Sequence, residues 1–174
     1  RQYQPGRGIW YRANTDVFQW FGIPKEQVHW INYFTQTPAQ MKNILANCSV
    51  VLYTGGAPDL MMKRIREKKL QPLLKKWQGT VMGYSAGALM PLAEYHITPD
   101  SDYPAFVWEK GLGYTDVFDI EVHYAREKLQ KESIQRTLEE RNRPVYAVAD
   151  DGGMIVKGNQ ILNLFGNVEL FQPE

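Results

Sequence analysis

The stretch TVMGYSAGALM, Thr80–Met90, decides the fold because it joins an apolar run, a glycine-bounded turn and a helix-forming segment. This order predicts a strand, a sharp turn and a helix, with Ser85 at the apex of the turn. Gly83 and Gly87, two residues to either side, let the backbone close tightly and leave the hydroxyl exposed. The pattern is typical of a nucleophile elbow and predicts acyl-transfer chemistry. A serine that only caps the helix is the structural alternative.

Such chemistry also needs backbone N–H groups that stabilise an oxyanion. Ala86 lies at the positive end of the predicted elbow helix, so its N–H is one candidate. The second candidate follows Ser49–Tyr53, a continuous apolar run that predicts a buried strand of a parallel sheet. Gly55 and Gly56 come directly after it and allow a close approach of the backbone, so Gly56 is the expected second donor. An ordinary strand-to-helix turn is the alternative interpretation.

A base for Ser85 must come from three histidines. His123 closes a strand predicted over Val117–Tyr124 and precedes an amphipathic helix predicted over Arg126–Arg141. This places it at the carboxyl edge of a sheet, where open α/β folds hold their sites. His123 is therefore the expected base, and a hydrogen-bonded strand terminus is its alternative role.

The other two histidines fit the role of base poorly. His29 lies on an aromatic stretch, Val28–Phe34, which predicts a strand with the histidine packed in it. His96 lies in Glu94–Lys110, which predicts a long loop of the kind that forms lids or substrate walls. If the elbow helix continued that far, His96 would lie roughly 16 Å from Ser85.

Three aspartates compete for the role of acid. Asp119 is four residues before His123 on the same predicted strand, so their α-carbons would lie roughly 13 Å apart. Asp150 and Asp151 follow another buried strand, Val145–Ala149, whose carboxyl end can lie beside that of the His123 strand. Adjacent residues of an extended segment point in opposite directions, so only one of the pair should face the imidazole.

Four further elements complete the predicted fold. They are helices over Tyr11–Phe21 and Pro38–Ala46, an amphipathic segment over Asp59–Trp77 broken near Pro72, and a terminal β-meander over Met154–Val156, Ile161–Phe165 and Val168–Phe171. Alternating strands and helices predict a doubly wound, mostly parallel sheet with helices on both faces. The length of 174 residues predicts a single domain over 1–174.

Composition excludes several classes of function. Twenty basic and nineteen acidic residues give a net charge of +1, with no basic patch interleaved with aromatics, so nucleic acid is not an expected partner. No apolar run approaches the length that spans a membrane. The single cysteine rules out an internal disulfide and is compatible with a reducing compartment, so a cytoplasmic location is expected.

Four motifs, in this order and spacing, carry a resemblance to a known family. They are YTGG at 53–56, GYSAGA at 83–88, GLG followed by EVHY within 111–124, and ADDGGMIV at 149–156. Together they resemble the peptidase E and cyanophycinase family of serine peptidases. The resemblance implies a fold related to class I glutamine amidotransferases. Members usually begin with a strand that this chain lacks, which predicts a truncated N-terminus.

Residue by residue, the resemblance matches the catalytic triad to Ser85, His123 and Asp151 and the oxyanion donors to Gly56 and Ala86. No cofactor and no metal are expected, and a single cysteine excludes a cysteine-rich metal site. The family's Gly-Gly-Asn pattern is Gly-Gly-Ala at 55–57, a difference that bears on substrate recognition.

The sequence thus predicts a serine peptidase that hydrolyses small peptides, with an N-terminal aspartate if it resembles peptidase E. A cyanophycinase-like enzyme would take a β-linked aspartyl-arginine polymer. An α/β-hydrolase esterase is disfavoured. That fold places its acid between the serine and a histidine near the C-terminus, and here no histidine follows His123. A binding protein that keeps the elbow without turnover is the non-enzymatic alternative.

Overall fold

A computed structural model describes residues 9–174, and the chain divides into two compact units, residues 1–48 and residues 49–174. The first unit contains helix α1 (Ile9–Trp20), a 3₁₀ turn (Lys25–Gln27) and helix α2 (Pro38–Ala46). Thr37 and Gln40 form a capping box at the start of α2, which satisfies two backbone N–H groups that the helix itself cannot pair. Both predicted helices of this unit are confirmed.

The strand predicted over Val28–Phe34 is wrong, because this segment forms irregular turns. Two polar side chains satisfy its backbone locally: the amide of Gln36 bonds the N–H of Asn32 and the carbonyl of Trp30, and Asn32 accepts from the N–H of Phe34. Such side-chain bonds compete with a strand ladder. His29 is exposed on this segment, so its expected packing is also wrong.

The second unit contains nine strands and four helices. The strands are β1 (Val50–Tyr53), β2 (Thr80–Gly83), β3 (Glu94–Ile97), β4 (Val107–Lys110), β5 (Asp119–Val122), β6 (Val145–Val148), β7 (Gly153–Lys157), β8 (Gln160–Phe165) and β9 (Val168–Phe171). The helices are α3 (Pro58–Glu67), α4 (Gln71–Leu74), α5 (Ala86–Leu89) and α6 (Lys128–Arg141).

Two parallel strand pairs build the site. Strand β1 pairs with β2, which ends at the elbow, and β5 pairs with β6, so that the carboxyl ends of each pair lie together. Helix α5 contacts β1, β2 and β5, while α6 packs on β5 and β6 around Tyr124, Ile134, Val145 and Ala147. The predicted α/β fold with parallel strands and helices is confirmed.

The C-terminal strands differ from the predicted meander in their pairing. Strands β7 and β8 form an antiparallel hairpin, but β9 leaves it and pairs antiparallel with β6. The chain turns at Gly166, where φ is +63°, and the carbonyl of Asn167 accepts the N–H of Ala149. This bond aligns β9 with β6 instead of β8.

One other segment differs from expectation. Residues predicted as a loop, Glu94–Lys110, form the β3–β4 hairpin, in which His96 lies opposite Trp108.

The amphipathic segment is broken near Pro72, as predicted. Helix α3 ends at Glu67, Lys69 has a φ of 55°, and α4 begins at Gln71, one residue before Pro72. Among residues 9–174, no helix has the length and apolar character needed to cross a lipid bilayer.

Gly87 is the tightest point of the elbow and yields a first prediction. A β-carbon at this position would lie 2.0 Å from the carbonyl oxygen of Tyr53, which belongs to the backbone of β1 and cannot move aside. Gly87→Ala should therefore cost about 3 kcal/mol or more of unfolding free energy in urea titrations.

The matched control is Gly158→Ala, because Gly158 has a φ of +58° but no atom within 4 Å of a β-carbon. This variant should lose only about 1 kcal/mol, the cost of a left-handed alanine. Equal losses in the two variants would show that contact with β1 does not restrict the elbow.

Candidate active site

Ser85 occupies the sharp turn between β2 and α5, with φ 54° and ψ −131°. Residues other than glycine rarely adopt such a positive φ, and they do so where the surrounding structure enforces it. The N–H of Tyr84 donates to the carbonyl of Tyr53 at 3.3 Å, which fixes the turn against the end of β1. The backbone therefore places Ser85 beyond the end of β2.

His123 follows the last residue of β5 and contacts Ser85 directly. Its Nε2 lies 2.7 Å from the Oγ of Ser85, and its Nδ1 lies 2.6 Å from Oδ1 of Asp150. An ionised carboxylate can only accept, so this contact favours the tautomer in which Nδ1 carries the proton and Nε2 accepts from the serine hydroxyl. The three side chains form one continuous chain of hydrogen bonds.

The aspartate in contact with the imidazole is Asp150, so the expected contact from Asp151 is wrong by one residue. Both aspartates lie in a turn that is closed by a bond from the N–H of Gly152 to the carbonyl of Ala149. Oδ2 of Asp151 accepts from Nδ2 of Asn167 at 2.6 Å. Asn167 therefore engages Asp151 in a separate contact, while Asp150 faces His123.

Gly55, the residue before the expected donor Gly56, lies beside the serine. A β-carbon on Gly55 would lie 3.2 Å from Cβ and 3.5 Å from Oγ of Ser85. Gly56 follows it with a φ of +126°, and Ala86 opens α5, where an N–H has no acceptor within its own helix. The turn after β1 and the start of α5 thus both border Ser85.

The site is open to solvent within the second unit. The side chains of His123 and Asp150 are 59% and 82% exposed. A pair this exposed contributes little to folding stability, because water screens its charges. Its short contact is better explained by orientation of the imidazole than by stabilisation of the fold.

Comparison with known proteins assigns the chain to a family. The sequence profile of peptidase family S51 matches residues 11–164. The chain belongs to peptidase family S51. It is therefore a serine-type peptidase, a hydrolase, as the sequence predicted, and the resemblance to peptidase E is confirmed.

A solved structure supports the S51 fold independently. The chain is similar to a candidate peptidase E protein from Listeria monocytogenes EGD-e, known from a crystal structure at 1.5 Å. The TM-score is 0.65 at 16% sequence identity, and the match covers 97% of this chain and 80% of the other. At this identity the likeness concerns the fold alone. No curated protein matches the chain significantly.

A buried charged cluster joins β3 and β5, and the sequence did not reveal it. Nε2 of His96 lies 2.7 Å from Oε2 of Glu121, and its Nδ1 lies 3.4 Å from Oδ1 of Asp119. Arg143 pairs with the other oxygen of Asp119 at 3.2 Å. His96, Asp119 and Glu121 are all less than 5% exposed. The signal in the sequence was Asp119 and Glu121 at alternate positions of an otherwise apolar strand, which places both on one face.

The two carboxylates keep His96 charged. Burial opposes the imidazolium form, but hydrogen bonding and charge from Asp119 and Glu121 outweigh it and raise the pKa of His96 to about 9. The cluster then carries two negative and two positive charges, with Arg143 as the second cation. Among residues 9–174, no group of three or more His, Cys, Asp and Glu side chains could hold a metal ion.

The raised pKa of His96 predicts a pH dependence of stability. The pKa of His96 is about 9 in the folded chain and 6.5 for an ordinary imidazole, as in the unfolded chain. The stabilisation from this group is therefore fully present below pH 6.5 and is lost as pH rises through 9. The loss from this group should reach about 3 kcal/mol, measured as unfolding free energy between pH 6 and pH 10.

An NMR titration of the imidazole assigns this effect to His96. Its midpoint should lie near pH 9, whereas a midpoint at or below 6.5 would mean that the two carboxylates do not hold the charge.

Proposed function

We propose that this chain hydrolyses small peptides through a Ser85–His123–Asp150 triad and an acyl-enzyme. The observation that carries the proposal is the hydrogen-bond chain from Oδ1 of Asp150 through both imidazole nitrogens to Oγ of Ser85. Geometry of this kind, with the nucleophile on the base and the base on an orienting carboxylate, is the signature of an activated serine.

In the first step, Nε2 of His123 takes the hydroxyl proton as Oγ of Ser85 attacks the peptide carbonyl. Asp150 stabilises the imidazolium that forms and keeps Nδ1 protonated. The imidazolium then gives its proton to the leaving amine, which departs and leaves an ester on Ser85. Water, deprotonated by His123, hydrolyses this ester and restores the enzyme.

The N–H groups of Gly56 and Ala86 are the proposed oxyanion donors. Gly55 lies beside Ser85, and a side chain there would press on the serine, so the turn can approach the reacting carbonyl closely. Ala86 supplies the N–H at the start of α5, next to the nucleophile. Two donors at the developing charge stabilise the tetrahedral intermediate more than the planar substrate.

The substrates we propose are short peptides with an N-terminal aspartate. The motif resemblance to peptidase E and the family assignment support this choice. A polymer of the cyanophycin type is the second candidate within the same family. The order serine, histidine, aspartate along the chain favours either substrate over those of an α/β-hydrolase esterase, whose histidine comes last.

We also propose a cytoplasmic location, because a single unpaired cysteine is compatible with a reducing compartment.

The adjacent aspartates provide a matched test of the triad. On a panel of aspartyl dipeptides, blocked peptides and simple esters, Asp150→Asn should lower kcat by about 10⁴-fold, because the imidazole loses its orienting carboxylate. Asp151→Asn should stay within a few-fold of the unaltered chain, since Asp151 contacts Asn167. Ser85→Ala defines the background rate.

Two results would contradict the proposal. A larger loss of kcat in Asp151→Asn than in Asp150→Asn would show that Asp151, and not Asp150, is the acid of the triad. If the unaltered chain hydrolyses every member of the panel no faster than Ser85→Ala does, the alternative of a binding protein without turnover is favoured.

A further inference from the structure

A single amide side chain holds the segment that carries His123. Oε1 of Gln130 accepts from the N–H of Ala125 at 2.8 Å and from that of Glu127 at 3.4 Å. Its Nε2 donates to the carbonyl of His123 at 3.0 Å and to Oε1 of Glu121 at 3.2 Å. Gln130 therefore binds the chain immediately before, at and after the imidazole.

The segment that Gln130 binds has an unfavourable backbone conformation. His123 and Arg126 have φ values of 54° and 62°, and left-handed residues other than glycine need such enforcement. The N–H of Tyr124 also donates to the carbonyl of Val148 at 3.0 Å, which continues the β5–β6 ladder past His123. Backbone pairing thus fixes one side of the turn, and Gln130 fixes the other.

The buried carboxylate of Glu121 in turn holds the Gln130 side chain in place. Its side chain lies against Glu121, whose other carboxylate oxygen accepts from His96 and from Thr98 at 2.7 Å each. His96 also stacks on Phe106 with ring centroids 5.6 Å apart. Because Glu121 is tied on its far side, its near oxygen remains in place to accept from the Gln130 amide.

We propose that Gln130, held by the buried Glu121–His96 pair, is the positioning residue that sets the orientation of the His123 imidazole. It touches no reacting atom and acts through the backbone of His123. This inference rests on the proposed function, in which His123 is the general base. A base displaced by a fraction of an ångström transfers protons more slowly but leaves substrate binding intact.

Gln130 also belongs to the capping box of α6 together with Glu127, so its two roles must be separated. Gln130→Met keeps the size of the side chain and removes all of its hydrogen bonds. Gln130→Glu keeps an acceptor for Ala125 and removes the amide donor, and it serves if the first variant does not fold. Glu127→Ala is the matched control, because it breaks the same capping box without touching His123 or Glu121.

The kinetic result expected is a split between kcat and KM. Either Gln130 variant should lower kcat by about 10-fold or more with KM within about two-fold, as befits an interaction that acts on the transition state. Glu127→Ala should lower the melting temperature and leave kcat unchanged. An unchanged kcat in folded Gln130 variants, or an equal loss in Glu127→Ala, would overturn the proposal.

A second readout does not need turnover. In protein with ¹⁵N-labelled histidine, the nitrogen shifts of His123 should show one tautomer with Nδ1 protonated, and the Gln130 variants should move the two shifts toward each other. Unchanged shifts would overturn the positioning role. If the unaltered chain hydrolyses nothing, the proposed function fails while these shifts still decide the inference.

Discussion

The hydrogen bond between Nε2 of His123 and Oγ of Ser85, 2.7 Å long, is the contact on which the proposed chemistry depends. It joins two residues that both have a φ of 54°: Ser85 lies two residues beyond the end of the parallel strand β2, and His123 lies directly after the parallel strand β5. Neither conformation is favourable for an isolated residue, so each must be enforced by its surroundings. The structure supplies that enforcement separately at each end, and helix α5, which begins directly after Ser85, contacts β5, which ends directly before His123.

The enforcement at Ser85 is steric, and that at His123 is polar. At the elbow, Gly87 lies so close to the carbonyl of Tyr53 that any side chain would collide with β1. Beyond β5, the amide of Gln130 satisfies the backbone groups of the turn and is itself backed by Glu121 and His96. A buried, charge-balanced cluster therefore lies next to an exposed surface, where Asp150 and His123 face water.

The sequence predicted the elements whose cause is local. The turn at Ser85 follows from its glycines, the position of His123 from the end of an alternating strand, and α2 from Thr37 and Pro38 at its start. The expectations that were wrong depend on partners far along the chain. Asp151 is drawn to Asn167, sixteen residues away, and no rule of strand alternation applies in the turn that carries it. The chain over 94–110 forms a hairpin, in which His96 packs with Phe106 and Trp108 and binds Glu121.

Covalent labelling tests directly whether His123 activates Ser85. The chain should react with a fluorophosphonate, and peptide mass spectrometry should find one phosphonyl group per chain on Ser85. His123→Ala should remove the labelling while circular dichroism remains unchanged, because the exposed imidazole contributes little to the fold. Labelling of another residue, or equal labelling of Ser85 in His123→Ala, would contradict a serine activated by this histidine.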